Sequence, residues 1–356
     1  LVGSEMCIRD RALSDLGLAY LNLGDRQKSL HYYDMVVDAS PRSSEAREAM
    51  QGIREIYVSQ GDVDGYFDYA AKAGLEGDLS AQSRDSLSFV AAQNLYLKGN
   101  PAAAAQSLRN YVSSYPKGYY LTDALYYLSD CCLRTDDCAG AIETLTRLTE
   151  QGTNQYTEQA LEKLSELTFA EKRYDEAASA YRRLYDVTTT RSGRETAMTG
   201  YVRATVAGGD GDRIAAMAAD VCGHADAGAT ALREAKYAWA GQLRASGDRD
   251  RALKLYKELA SDVKTREGSE AAYYVIEALF ESGDLDKTES EVFAFSDREP
   301  NAYWLAKAFL LLGDVYVRKG DTFQARATYQ SVADGYSPAD DGIVDEAKER
   351  IAKLKN

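Results

Sequence analysis

Residues 309–329 read FLLLGDVYVRKGDTFQARATY, and the Gly320-Asp321 pair inside this stretch decides the fold. Glycine reaches left-handed backbone without a Cβ penalty, so it closes a helix. Aspartate offers a carboxylate to the orphan N–H groups of a first turn, so it opens one. The pair predicts one helix ending and another beginning. Leu312, Gly313 and Tyr316 fall on one face before it, and Ala325 and Tyr329 on one face after it.

The same punctuation recurs. Its first positions are Gly24, Gly61, Gly99, Asp136, Lys172, Gly209, Gly247, Gly283 and Gly320, at intervals of 36 to 38 residues. Eight of the nine following residues are Asp or Asn. A fixed period of this length marks a helical-repeat array. Counting the first residue of each pair as position 15, position 7 is apolar in every unit, from Leu16 to Leu312. Position 8 is small in six units (Gly17, Ala92, Ser129, Ser165, Ala240, Gly313) and position 20 is Ala in five. Position 24 holds Tyr33, Tyr181, Tyr256 and Tyr329. Pro41, Pro116, Pro300 and Pro338 follow second helices, and Pro101 sits in a first turn, where proline is tolerated.

At these positions the chain resembles the tetratricopeptide repeat family. Unit one carries Leu16, Gly17, Tyr20, Tyr33 and Pro41 at the family's positions, and unit nine carries Leu312, Gly313, Tyr316, Ala325 and Tyr329. The period of about 37 exceeds the family's 34 by almost one helical turn. That long form resembles repeats of bacterial, Bacteroides-type proteins. The expected fold is all-α: an α-solenoid of nine antiparallel helix pairs over residues 11–339, with a capping helix at 340–356. The resemblance implies a superhelix. Residues 1–10 (LVGSEMCIRD) match no helical pattern continuous with residue 11 onward and read as a non-native segment. The chain reads as the C-terminal fragment of a larger one.

Composition narrows the function. Against 42 Lys and Arg stand 56 Asp and Glu, a net charge of −14. Nucleic-acid binding needs clustered cations and is not expected. No apolar run approaches the ~18 residues that a transmembrane helix needs. Only two histidines occur, His31 and His224, both expected in solvent, and no phosphate loop or hydrolase motif is present. No enzyme activity and no cofactor are expected. Cys131, Cys132 and Cys138 cluster at one turn; a thiol redox or metal site is the minor reading and buried packing the major one.

In the family, first helices line the concave face through positions 2, 5, 9, 12 and 13. Position 5 here offers Phe89, Tyr126, Tyr237 and Tyr273, and position 9 offers Asp130, Glu166, Glu277 and Asp314. Positions five and nine share a face. The expectation is an acidic, tyrosine-rich groove for a protein or peptide partner, basic or neutral in charge. Carbohydrate stacking on exposed Tyr rings is the alternative. The family's Lys/Asn carboxylate clamp is missing. Resemblance suggests a bacterial periplasm or outer-membrane face, with the cytoplasm as the alternative. The Gly-rich segment 207–229 reads as a soft joint.

Overall fold

The computed structural model describes residues 2–74, 80–337 and 340–354, with side chains from residue 7 onward. Pro338 lies outside the described residues. Those residues form nineteen α-helices and no strand. Eighteen helices make nine consecutive pairs, and α19 (Ile343–Lys353) comes after them. Contacts divide the chain into two compact units, residues 1–167 and 168–356. No helix among the described residues is long and apolar enough to cross a membrane.

The nine turn positions behave as one class. All nine have positive φ, from +56° at Asp136 to +88° at Gly247. Asp136 and Lys172 adopt this conformation despite carrying a Cβ, so the turn geometry overrides side-chain preference. The eight Asp and Asn residues after these turns each accept a first-turn N–H, as Asp25 does from Lys28 and Asp321 from Gln324. Arg173, the ninth, makes no such bond.

Packing explains positions 8 and 24. In the first unit the buried ring of Tyr33, on α2 (Arg26–Ala39), lies against Gly17 of α1 (Val2–Asn22). The same ring fills the space over Gly52 of α3 (Ser44–Gln60), so one ring joins two successive pairs. In the second unit Tyr329 covers Gly313, and Tyr181 covers Gly200 of the next pair. Tyr256 meets Tyr274 of the next pair at 5.0 Å between ring centres.

The last helix docks as expected. Ile343 and Ala347 of α19 are buried, and Asp341 accepts the N–H of Ile343 at 3.2 Å. Lys307 pairs with Glu346 at 3.2 Å, and Arg350 with Asp314.

The expected break in helical pattern before residue 11 is absent. Residues 2–10 continue α1 without interruption, and Asp10 is buried. Cys7 donates to Glu45 at 3.3 Å. The segment lacks a clean apolar stripe, yet nothing in it breaks a helix, and α1 needs only that.

Candidate partner-binding face

The candidate residues sit on first helices, two or three turns from the punctuating turn. In the first unit these are α5 (Ala81–Leu97), α7 (Leu121–Arg134) and α9 (Thr157–Ala170). Phe89 of α5 is buried and stacked on Tyr120, with ring centres 4.6 Å apart and planes at 2°. It offers no free face to a ligand. This corrects the groove assignment for Phe89: the ring packs between repeats. Tyr126 of α7 is half-buried and stacks on Tyr156 at 4.1 Å. Its hydroxyl donates to Gln159 at 3.2 Å, at position 2 of the next repeat. Asp130 pairs with Arg134 at 3.6 Å and neighbours Tyr96. Burial, and then this carboxylate, pushes Tyr96 up to about 12. Glu166 is exposed and pairs with Lys163 at 3.1 Å.

The second unit repeats the scheme on α11 (Arg191–Gly208), α13 (Ala229–Ala245), α15 (Arg266–Glu281) and α17 (Ala302–Lys319). Tyr237 is half-buried and neighbours Glu270, position 2 of the next repeat; burial, and then this carboxylate, raises its pKa. Tyr273 is buried against Trp304, 5.3 Å between ring centres, and is therefore corrected to a packing residue too. Its hydroxyl donates to Glu277 at 3.3 Å. Glu277 also holds Arg244, position 12 of the preceding repeat, at 2.7 Å. Asp314 accepts from Tyr329 at 2.6 Å and pairs with Arg350.

A rule emerges that the single-repeat pattern does not contain. Position 5 of one repeat reaches position 2 of the next: Tyr126 donates to Gln159, and Tyr237 neighbours Glu270. Position 12 reaches the next position 9: Arg244 pairs with Glu277, and Tyr96 neighbours Asp130. The groove-facing side chains thus meet one another laterally. Positions 5 and 9 of a single repeat identify these residues but not their partners one period downstream.

In the second unit this lattice is interrupted at the sixth repeat. Its position 5 is Thr199, too short to bridge to the next helix. There the unit opens a cleft of about 640 Å³. Thr196, Thr199 and Arg203, positions 2, 5 and 9 of α11, line it. Phe169 and Tyr181 supply apolar surface, and Gly228, Ala229 and Thr230 form the facing wall. Arg203 spans this gap with a two-pronged contact to Glu234, at 2.7 and 2.9 Å. The replacement of a ring by Thr199 was visible in the sequence, but its consequence needs the fold.

The other candidate groups lie elsewhere. Cys131 and Cys132 are fully buried free thiols, and burial pushes Cys131 up to about 11, which opposes thiolate chemistry. Cys138 is exposed. His224 is half-buried rather than solvated, and bonds to Tyr185 and Asp220. The link around it is pinned also by Ala227, fully buried, which departs from a soft joint.

Family models described as Tetratricopeptide repeat match residues 11–43, 89–156, 237–294 and 307–337, just over half of the chain. The chain belongs to the tetratricopeptide repeat family. Such arrays act as protein-interaction scaffolds, and this tetratricopeptide repeat chain has the fold for that role. No curated protein matches the sequence. Among solved structures, it is similar to a tetratricopeptide repeat protein from Parabacteroides merdae, at 14% identity, over 75% of this chain and 98% of that one, with a TM-score of 0.30. It is also similar to pilF of Pseudomonas aeruginosa, at 16% identity, over 63% and 96%, with a TM-score of 0.27.

Proposed function

We propose that this protein is a non-enzymatic scaffold that takes an extended, polar peptide segment of a partner protein into the cleft along α11. The cleft carries the reading. It occupies the groove-facing positions 2, 5 and 9 at the repeat of the second unit where a short polar side chain replaces the bridging ring. Its volume of about 640 Å³ falls within the range of ligand sites. Ser192, Thr196 and Thr230 supply hydroxyls that both donate and accept, as a peptide backbone requires, and Thr199, whose proton goes to the Glu195 carbonyl, can accept. Tyr237, Glu277 and Asp314 lie on the first helices that follow the cleft in the same unit, and Tyr126, Asp130 and Glu166 make up a face of the same kind in the first unit. Because the acids among them already hold cations or tyrosine hydroxyls, the reading favours a neutral partner over a strongly basic one. A bacterial envelope is the setting that the long repeat period suggests by resemblance.

The test is to pan a random peptide library displayed on phage against the whole chain. Peptides recovered on the wild type are then measured against Thr199→Trp, which fills the cleft, and Arg203→Glu. At least tenfold weaker binding with unchanged helicity supports the cleft. Equal binding to all three proteins places the peptide site elsewhere and removes the reading.

A further inference from the structure

Tyr126 lies on α7 of the fourth repeat, and Tyr156 in the link that enters α9 of the fifth. Their rings lie face to face, with centres 4.1 Å apart and planes at 11°. Other tyrosine pairs stand further apart, Tyr96–Tyr127 at 4.6 Å and Tyr20–Tyr32 at 5.4 Å. The link is pinned at this point. The Tyr156 N–H donates to Asn154 Oδ1 at 2.9 Å, and the Asn154 N–H donates to the Thr157 hydroxyl at 2.8 Å. Both rings are half-buried, so each meets the other more readily than a ring of another molecule. We propose that this pair is a modification site, at which a one-electron oxidant of the kind that a peroxidase makes from hydrogen peroxide joins the two rings into a dityrosine. The site is independent of the cleft reading.

A phenol that loses an electron becomes a strong acid, so oxidation is easiest where a base already holds the hydroxyl hydrogen. Tyr156 has that base, because its hydroxyl donates to Asp123 Oδ1 of α7 at 2.7 Å. Tyr126 donates to the amide oxygen of Gln159 at 3.2 Å, a weak base, and its proton passes to water. Each ring gives up one electron and its phenolic proton and becomes a phenoxyl radical, with spin on the Cε carbons beside the oxygen. One Cε of each ring then forms a carbon–carbon bond with the other. The hydrogen on each joined carbon moves to the oxygen of its own ring, which restores two phenols. In total two electrons go to two equivalents of the oxidant, and two protons leave, one through Asp123 and one to water. Rings held in contact make the coupling an effectively unimolecular step.

Two further phenols lead to the pair. Tyr127 meets Tyr126 edge-on at 5.8 Å and Tyr96 at 4.6 Å, so a radical formed on either has a short path to Tyr126. The product ties α7 to the link into α9 and closes α8 (Cys138–Glu150) within a covalent loop, as a disulfide would.

Photo-oxidation of the whole chain with a tris-bipyridyl ruthenium complex and persulfate supplies a one-electron oxidant that needs no docking. The exposed cysteines are alkylated first and the protein is kept dilute. Mass spectrometry of the digest should find the Tyr126 and Tyr156 peptides linked with loss of two hydrogens, about tenfold above any other tyrosine pair. Tyr126→Phe and Tyr156→Phe keep the rings and should abolish this link. Asp123→Asn should slow its appearance about tenfold, because an amide is no proton acceptor. In denaturant the preference for this pair should vanish. Links spread evenly over other pairs, or formed between molecules through Tyr119, which is 83% exposed, overturn the site. So does a wild-type yield of dityrosine in either Phe variant. An unchanged rate in Asp123→Asn overturns the proton route through that carboxylate.

Discussion

A Cβ built on Gly17 would lie 2.5 Å from Cε1 of Tyr33, so ring and backbone occupy adjoining space with none to spare. The ring does the same over Gly52 in the next helix pair. Both glycines sit inside helices, where Ala would ordinarily be better by about 1 kcal/mol. Overpacking a buried ring costs about 1–3 kcal/mol and decides the sign. Gly52→Ala should lower stability by ~1–2 kcal/mol in denaturant unfolding. Gly241→Ala, on an exposed helix face with nothing within 4 Å, should instead raise it by up to ~1 kcal/mol. Equal effects at the two sites would argue against the wedge.

Alkaline pH should unfold the protein through its tyrosines. Burial, and then a carboxylate acceptor, pushes Tyr96 and Tyr316 up to about 12. Burial and the neighbouring Glu270 do the same to Tyr274. A raised folded-state pKa contributes stability that is fully present below the ordinary tyrosine value of about 10 and is lost as pH rises through the folded values. Ultraviolet titration should show less phenolate at about pH 11 in the native protein than in denaturant, followed by cooperative loss of helix. Matching titration curves would contradict this.

Thiol reactivity should split. Cys7, Cys138 and Cys222 are exposed, whereas Cys131 and Cys132 are buried. At neutral pH an alkylating reagent should modify Cys138 and Cys222 quickly, Cys7 more slowly because its bond to Glu45 raises its pKa, and the other two only after unfolding. Mass spectrometry of quenched samples reads this directly. Early labelling of Cys131 would revive the thiol reading.

Removing the cap's anchor should loosen one end. Ile343 is buried between α19 and the helix pair before it. Ile343→Ala should cost about 2–4 kcal/mol locally. Amides of α19 should then exchange faster while those of α7 hardly change. A uniform change along the chain would mean that the helix does not behave as a local cap.

Peptide binding at the cleft should depend weakly on salt. Arg203 already holds Glu234, and Arg191 holds Glu195 at 2.9 Å, so few charges remain to be satisfied by a ligand. Between about 0.05 and 0.5 M salt the affinity should change by less than about tenfold. A steeper loss would restore the basic-partner reading of Asp130, Glu166, Glu277 and Asp314.

The repeat was legible because each turn states its own chemistry within two residues. Even Asp136 and Lys172 could be placed by period alone, though neither prefers the conformation it adopts. Phe89 and Tyr273 could not be sorted from Tyr126 in the same way. Their burial depends on Tyr120 and Trp304, residues outside the repeat pattern and about one period downstream. His224 escaped for a similar reason, since Tyr185 and Arg182 approach it from a helix 39 and 42 residues upstream.

The ring of Tyr33 touches its own helix pair and the next one, and this has an engineering meaning. Any two-helix module would carry the ring away from half of its seat. A module cut from one Gly-Asp turn to the next begins at a second helix and keeps Tyr33 with Gly52, or Tyr181 with Gly200, whereas one cut at the links between repeats keeps Tyr33 with Gly17. Repeats of this chain should therefore be transplanted or duplicated with one additional first helix, so that the ring travels with both of the helices that seat it.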